Sequence, residues 1–189
     1  RLQGDWSSDV CSSDLRLEPG GWVSWAGGGL PERMAVRGDG ADVGLFHPLE
    51  AQFVEASPLA APADGSQGLY LNVQPHGASL DVLGGLVFDV DVEDATVAGV
   101  EYELSFALGR RLDLGFPQVG VSLLLDDGDM TVEADAAVVS APAAGTWTEV
   151  TLRAEAVAGR EVLKLVVVVD NASLAQEQVL LDALRVRAR

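Results

Sequence analysis

The chain has 189 residues, 48% of them hydrophobic, and a formal net charge of -17. That length and apolar content suit one domain with a sizeable core. So acidic a surface repels phosphate backbones and argues against nucleic acid as a partner. With no apolar run of 18 residues, the sequence holds no membrane-spanning helix, and no membrane insertion is expected.

The first residues stand apart. Asp5–Leu15 reads DWSSDVCSSDL, which matches the translation of a common short-read sequencing adapter. Residues 1–15 are therefore expected to be an artefactual or disordered leader, and residues 16–189 a single domain. The leader holds Cys11, the only cysteine. The remainder then has no disulfide framework, thiol nucleophile or thiolate metal site. Lys164 is the only lysine among many Ala, Val, Leu, Gly and Asp residues, a composition that looks like GC-rich bacterial coding sequence, while the adapter match implies a metagenomic source.

In chain order, residues 16–44 read as a short strand and a long Gly/Pro-rich loop containing Trp22 and Trp25. Asp42–Phe46 enters a strand. Leu49–Ser66 is a loop, with one helical turn near Glu50–Val54 and an Asp64-Gly65 turn. Gly68–Gln74 alternates Leu69, Leu71 and Val73 against Tyr70, Asn72 and Gln74, and Leu86–Val92 is the next strand. In 100–108, Val100, Tyr102, Leu104, Phe106 and Leu108 share one side, the pattern of a half-buried strand. Val119, Val121, Leu123 and Leu125 repeat it after a connection containing Gly115 and Pro117, so 100–127 is expected to form a central antiparallel hairpin. Strands follow at Met130–Val139, Thr146–Ala156, Glu161–Asp170 and Glu177–Arg187. About eight or nine strands with regular turn signals predict an all-β antiparallel sandwich, a jelly roll.

Four segments, in order, carry a family resemblance. They are GW at Gly21-Trp22 with VGLFHP at Val43–Pro48, ADGSQGLYLN at Ala63–Asn72, the 100–127 stretch, and GTWTEVTLRAEAVAGREVLKLVVV with the closing VLLDALRV. Together they resemble bacterial secreted jelly-roll domains of galactose-binding-like, carbohydrate-binding-module-like type. They are similar also to the calcium-dependent Stig cyclases, which act on indole terpenoids. The resemblance implies a structural Ca²⁺ held by Glu18, the Asp64-Gly65 loop and Asp182, and a place outside the cell or on its surface, the signal peptide being lost with the true N-terminus. Asp182 also has an argument of its own. It shares parity with Leu180, Leu184 and Val186, so it is expected to face the core, where a lone carboxylate needs a cation, donors or a proton. Its alternatives are an arginine partner or a place at the sheet rim.

Other candidate residues divide by chemistry. Trp22 and Trp25 could stack on sugar rings or close one end of the core. Arg110, Arg111 and Asp113 follow the central strand, where the arginines could reach a ligand or pair with local carboxylates. Asp126, Asp127 and Asp129 lack EF-hand spacing and read as a turn. His47 and His76 have no partner at metal spacing. With no nucleophile elbow or catalytic metal cluster in view, the first expectation is a non-catalytic module binding carbohydrate or another extracellular small ligand. A Stig-cyclase-like enzyme and a purely structural adhesion domain are the alternatives. The oligomeric state is not legible.

Overall fold

A computed structural model describes residues 3–5, 18, 20–24, 34–37, 41–54, 67–73, 84–90, 99–126, 130–157, 162–170 and 175–189. Nine described strands have six residues or more: β4 (Ala41–Phe46), β5 (Gly68–Val73), β6 (Gly84–Val90), β7 (Glu101–Arg110), β8 (Gln118–Asp126), β9 (Thr131–Val139), β10 (Thr146–Glu155), β11 (Val162–Asp170) and β12 (Glu177–Ala188). Three short ones join them: β1 (Gln3–Asp5), β2 (Trp22–Ser24) and β3 (Met34–Arg37). One sheet runs β10-β7-β12-β5-β4-β2, with β1 pairing against β12; the other runs β3-β6-β11-β8-β9. All strand pairs are antiparallel. The fold is a jelly-roll sandwich. We refer to the first sheet as the front sheet and to the second as the back sheet.

Alternation explains the core. Tyr102, Leu104, Phe106 and Leu108 of β7 pack with Val119, Val121, Leu123 and Leu125 of β8 between the sheets. Leu163, Leu165, Val167 and Val169 of β11 join them, all 1% exposed or less. Each such side chain contributes about 1.5–3 kcal/mol on leaving water. β7 and β8 are not a hairpin, however. They lie in different sheets, and the 111–117 connection carries the chain from one layer to the other, which is why it is longer than a hairpin turn. Among the described strands, only β4–β5 and β8–β9 are consecutive neighbours within a sheet.

The outer face of the front sheet is not simply solvated. Phe46, Phe53, Tyr70, Ala107, Trp147 and Leu180 form a second apolar cluster there. Trp147, Gly109, Leu180, Tyr70 and Gly44 are in register across β10, β7, β12, β5 and β4. The Trp147 ring lies flat over Gly109, where an added Cβ would come within 2.7 Å of it. Phe53 stacks on the ring's other side, with centroids 5.7 Å apart and planes within 5°. Phe53 belongs to the segment 47–54, a strap that leaves β4, passes through the short 3-10 helix Glu50–Gln52 and is pinned at its far end. Val54 donates to the Gly145 carbonyl at 2.9 Å, and Leu112 to the Gln52 carbonyl at 2.9 Å.

The two sheets also meet at their edges. Asp135 of β9 accepts from its neighbour Ala136 and from the backbone N–H of Arg153 on β10, each at 2.9 Å. That bond uses a donor on β10, the edge of the front sheet, and a register shift in β9 sets the carboxylate in place.

Replacing Gly109 by Ala must lift Trp147 off the sheet. Gly109→Ala should cost about 1–3 kcal/mol, read as a lower urea midpoint at unchanged m-value. An unchanged midpoint would refute the stacking account.

Candidate functional site

Strand register builds a cavity on the outer face beside the strap, of about 440 Å³. Its floor starts with Asp42, Asn72 and Gln178, directly opposite one another on β4, β5 and β12. The Gln178 amide donates to the Asn72 carbonyl oxygen at 2.6 Å and accepts from Arg111 at 3.2 Å. Tyr70 donates weakly to Asp42 at 3.4 Å. Four planar or hydroxyl groups are thus held across the strands by one another.

The walls are aromatic and cationic. Trp22, 62% exposed, meets Tyr70 edge-on with centroids 6.4 Å apart. That contact spans β4, where Gly44, opposite Tyr70, has no side chain to intervene. On the other side, the Arg111 guanidinium sits 5.1 Å over the Phe46 ring, a cation–π contact. Leu114 and Gln176 complete the rim. Arg111 also makes a bidentate ion pair with Asp113, at 2.8 and 2.5 Å. The Arg111 hydrogen bonds hold the Asp113 carboxyl below its ordinary value, against the opposing cost of burial.

Of the residues singled out from sequence, Trp22 and Arg111 line this cavity and Asp113 orients Arg111. Arg110 turns elsewhere, donating to the Pro142 carbonyl at 3.3 Å. Trp25, Asp64 and His76 lie outside the described residues. Asp126 pairs with Lys164 across β8 and β11. Asp42, Tyr70, Asn72 and Gln178 were not anticipated as a site. The available signal was the alternation of β5, which sets Tyr70 and Asn72 opposite the core-facing Leu69 and Leu71.

Asp182 is buried, at 2% exposure, but not where parity along β12 places it. A bulge between Asp182 and Arg185, with Ala183 at φ 54°, shifts the alternation by one residue. Val179 and Leu181 before it, and Leu184 and Val186 after it, face the core. Leu180 and Asp182 face outward, and Asp182 accepts from the Ala183 N–H at 2.8 Å. Glu18 is exposed in a turn closed by the Gly21 N–H onto its carbonyl. Register brings that turn, Gly68 and Asp182 to one end of the front sheet: Trp22 pairs with Phe46 and Phe46 with Gly68, and a Cβ on Gly68 would lie 4.0 Å from that of Asp182. Among the described residues, no three His, Cys, Asp or Glu side chains come together as a metal cluster.

A second charged group lies on the same face, away from the cavity. Glu103 of β7 is 2% exposed. It receives Arg187 of β12 through Nε at 2.7 Å, Arg153 of β10 at 3.0–3.1 Å and Arg189 at 2.6 Å. Hydrogen bonding from Arg187, foremost, holds the Glu103 carboxyl below its ordinary value of 4.5, against the opposing cost of burial, with Arg153 and the charge of Arg189 adding to it. The cluster ties β12, β7 and β10 together.

Several solved structures share the fold. Tailspike protein 4 of bacteriophage CBA120 matches over 84% of this chain, with TM-score 0.56 and 12% identity. This chain spans only 20% of that tailspike chain. A cyclase from Fischerella sp. TAU, solved with 4-(1H-indol-3-yl)butan-2-one, matches over 89% of this chain and 85% of its own, with TM-score 0.55 and 18% identity. An arabinose-bound α-L-arabinofuranosidase matches over 83% of this chain and 23% of its own, with TM-score 0.51 and 12% identity. At these identities the likeness is one of fold. No protein-family model matches the chain, and no curated protein matches it.

The Glu103 cluster gives a pH signature. A carboxylate whose folded value is lowered adds stability above its unfolded value and loses it as pH falls through the folded one. The stability gap between the parent and Glu103→Gln should therefore be largest near neutrality and shrink as pH drops below about 4.5. A gap constant with pH in denaturant titrations would refute the ion-pair account.

Proposed function

We propose that this domain is a non-catalytic carbohydrate-binding module that works at or outside the cell surface. The observation that carries the reading is an exposed aromatic ring, Trp22, braced edge-on by the buried Tyr70, beside a cross-strand row of amide and carboxylate groups, Asp42, Asn72 and Gln178, in one cavity. Sugar rings need both. Their C–H faces pack on aromatic rings, and their hydroxyls take bidentate hydrogen bonds from planar side chains. Asn72, Gln178 and Arg111 supply donors, Asp42 an acceptor, and none needs a catalytic proton transfer to do so.

A structural Ca²⁺ belongs to the same proposal. The ligands would be Glu18, the Asp64-Gly65 loop and Asp182; Glu18, the start of β5 that follows that loop, and Asp182 come to one end of the front sheet, and Asp182 is buried on a bulge. Carboxylate and carbonyl oxygens in such a place fit a hard cation in type. The ion would tie the first long strands to the last and would do no chemistry on a ligand.

Trp22 is exposed and supports no core, so Trp22→Ala should fold normally and lose about tenfold in affinity for glycans. Affinity electrophoresis against soluble polysaccharides, after a glycan-array screen, reads this. Retention of every polysaccharide at the mobility of an inert control would overturn the saccharide reading. For the metal, Ca²⁺ at a hundredfold excess over its dissociation constant should add about 2.7 kcal/mol relative to EDTA. An unmoved thermal midpoint at saturating Ca²⁺ would sink that part alone.

A further inference from the structure

We infer that the cavity captures the end of a neutral saccharide chain rather than a stretch within it; this rests on the saccharide reading above. A chain laid across the strands can enter over the β2 edge, past Trp22, and run over β4 and β5 to β12. Those four strands span roughly 15 Å, room for about two or three pyranose rings. There the path stops. Arg111 and Leu114 stand at β12, because the 111–117 connection lies along the start of that strand: Gln178 donates to the Gly115 carbonyl at 3.0 Å, and Gly115 bridges Glu177. Behind them, β7 and β10 are covered by Phe53 on Trp147.

The wall is built rather than draped. Arg111 is held by Asp113, Gln178 and Phe46 at once. The strap end is fixed by a turn at Gly145 that admits no side chain. Gly145 has φ 75°, and a Cβ there would meet Leu112 at 2.8 Å and Val54 at 2.9 Å. An open cleft over the whole front sheet would need both the strap and this loop removed. Charge sets the class of sugar. Arg111, the one cation among the described lining residues, is already paired with Asp113, and Asp42 stands on the cavity floor, so a uronate carboxylate meets repulsion there.

Calorimetric titration of the full chain with xylo-, cello- and β-1,4-galacto-oligosaccharides of one to six units tests this. For a series that binds, affinity should reach its plateau by about the trisaccharide, and oligogalacturonates should bind at least tenfold more weakly. For the matching polysaccharide, saturating capacity at constant mass should rise with the number of chain ends released by partial hydrolysis. Leu114→Gly, which lowers the wall, should restore a gain in affinity between three and six units. Affinity still climbing to the hexasaccharide in the parent, with capacity following mass, would overturn end capture and leave the saccharide reading standing. Equal binding of oligogalacturonates would overturn the neutral assignment. No binding of any series at any length would overturn both readings.

Discussion

Trp147 can lie flat on the front sheet only because residue 109 has no side chain, and its upper surface is then a platform for Phe53. Through that one stack, the segment that leaves β4 is drawn across the sheet and its end is hydrogen-bonded beside Gly145 and Leu112. The strap divides the outer face. On one side of it an apolar cluster is sealed; on the other, Trp22 stands exposed over the cavity that the Asp42–Asn72–Gln178 row floors. A half-buried sheet would otherwise present a broad mixed surface with nothing to concentrate a ligand.

β12 carries the second constraint. It is the longest described strand and lies between β5 and β7, so both of its edges are committed. The bulge at Ala183 lets it satisfy two demands with one sequence. Before the bulge, odd-numbered residues enter the core; after it, even-numbered residues do. Leu180 is thereby released to the outer cluster and Asp182 to the end of the sheet, while Arg187 points outward to Glu103. The local left-handed conformation of Ala183 costs about 1–2 kcal/mol, offset by the core contacts that the shifted half of the strand gains.

Much of the sandwich was legible in the sequence because period-2 alternation reports directly on which face is buried. Tyr102 to Leu108 and Val119 to Leu125 read correctly as core. Their placement in one hairpin did not hold, because alternation says nothing about which sheet a strand joins. Asp182 failed by parity for a related reason: a bulge leaves no mark in a run of apolar residues on both sides. The site was less legible still. Trp22 and Arg111 stand out by residue type, but Asn72 and Gln178 are ordinary strand residues. They become neighbours only through register between strands more than a hundred positions apart.

That register also bears on what the cavity can do. A side chain that must be ordered on binding costs about 0.5–1.5 kcal/mol of the interaction it makes. Here the ordering is largely complete before any ligand arrives. Arg111 is fixed by an ion pair and a ring, Gln178 by Arg111 and Asn72, and Tyr70 by burial beneath Trp22. Asn72 and Gln178 each use only part of an amide's hydrogen-bonding capacity in these contacts. The row is therefore stiff and still able to bond outward. A rigid floor of this kind rewards a ligand that is itself stiff and rich in hydroxyls, and gives little to a flexible apolar one, whose ordering cost no polar contact would offset.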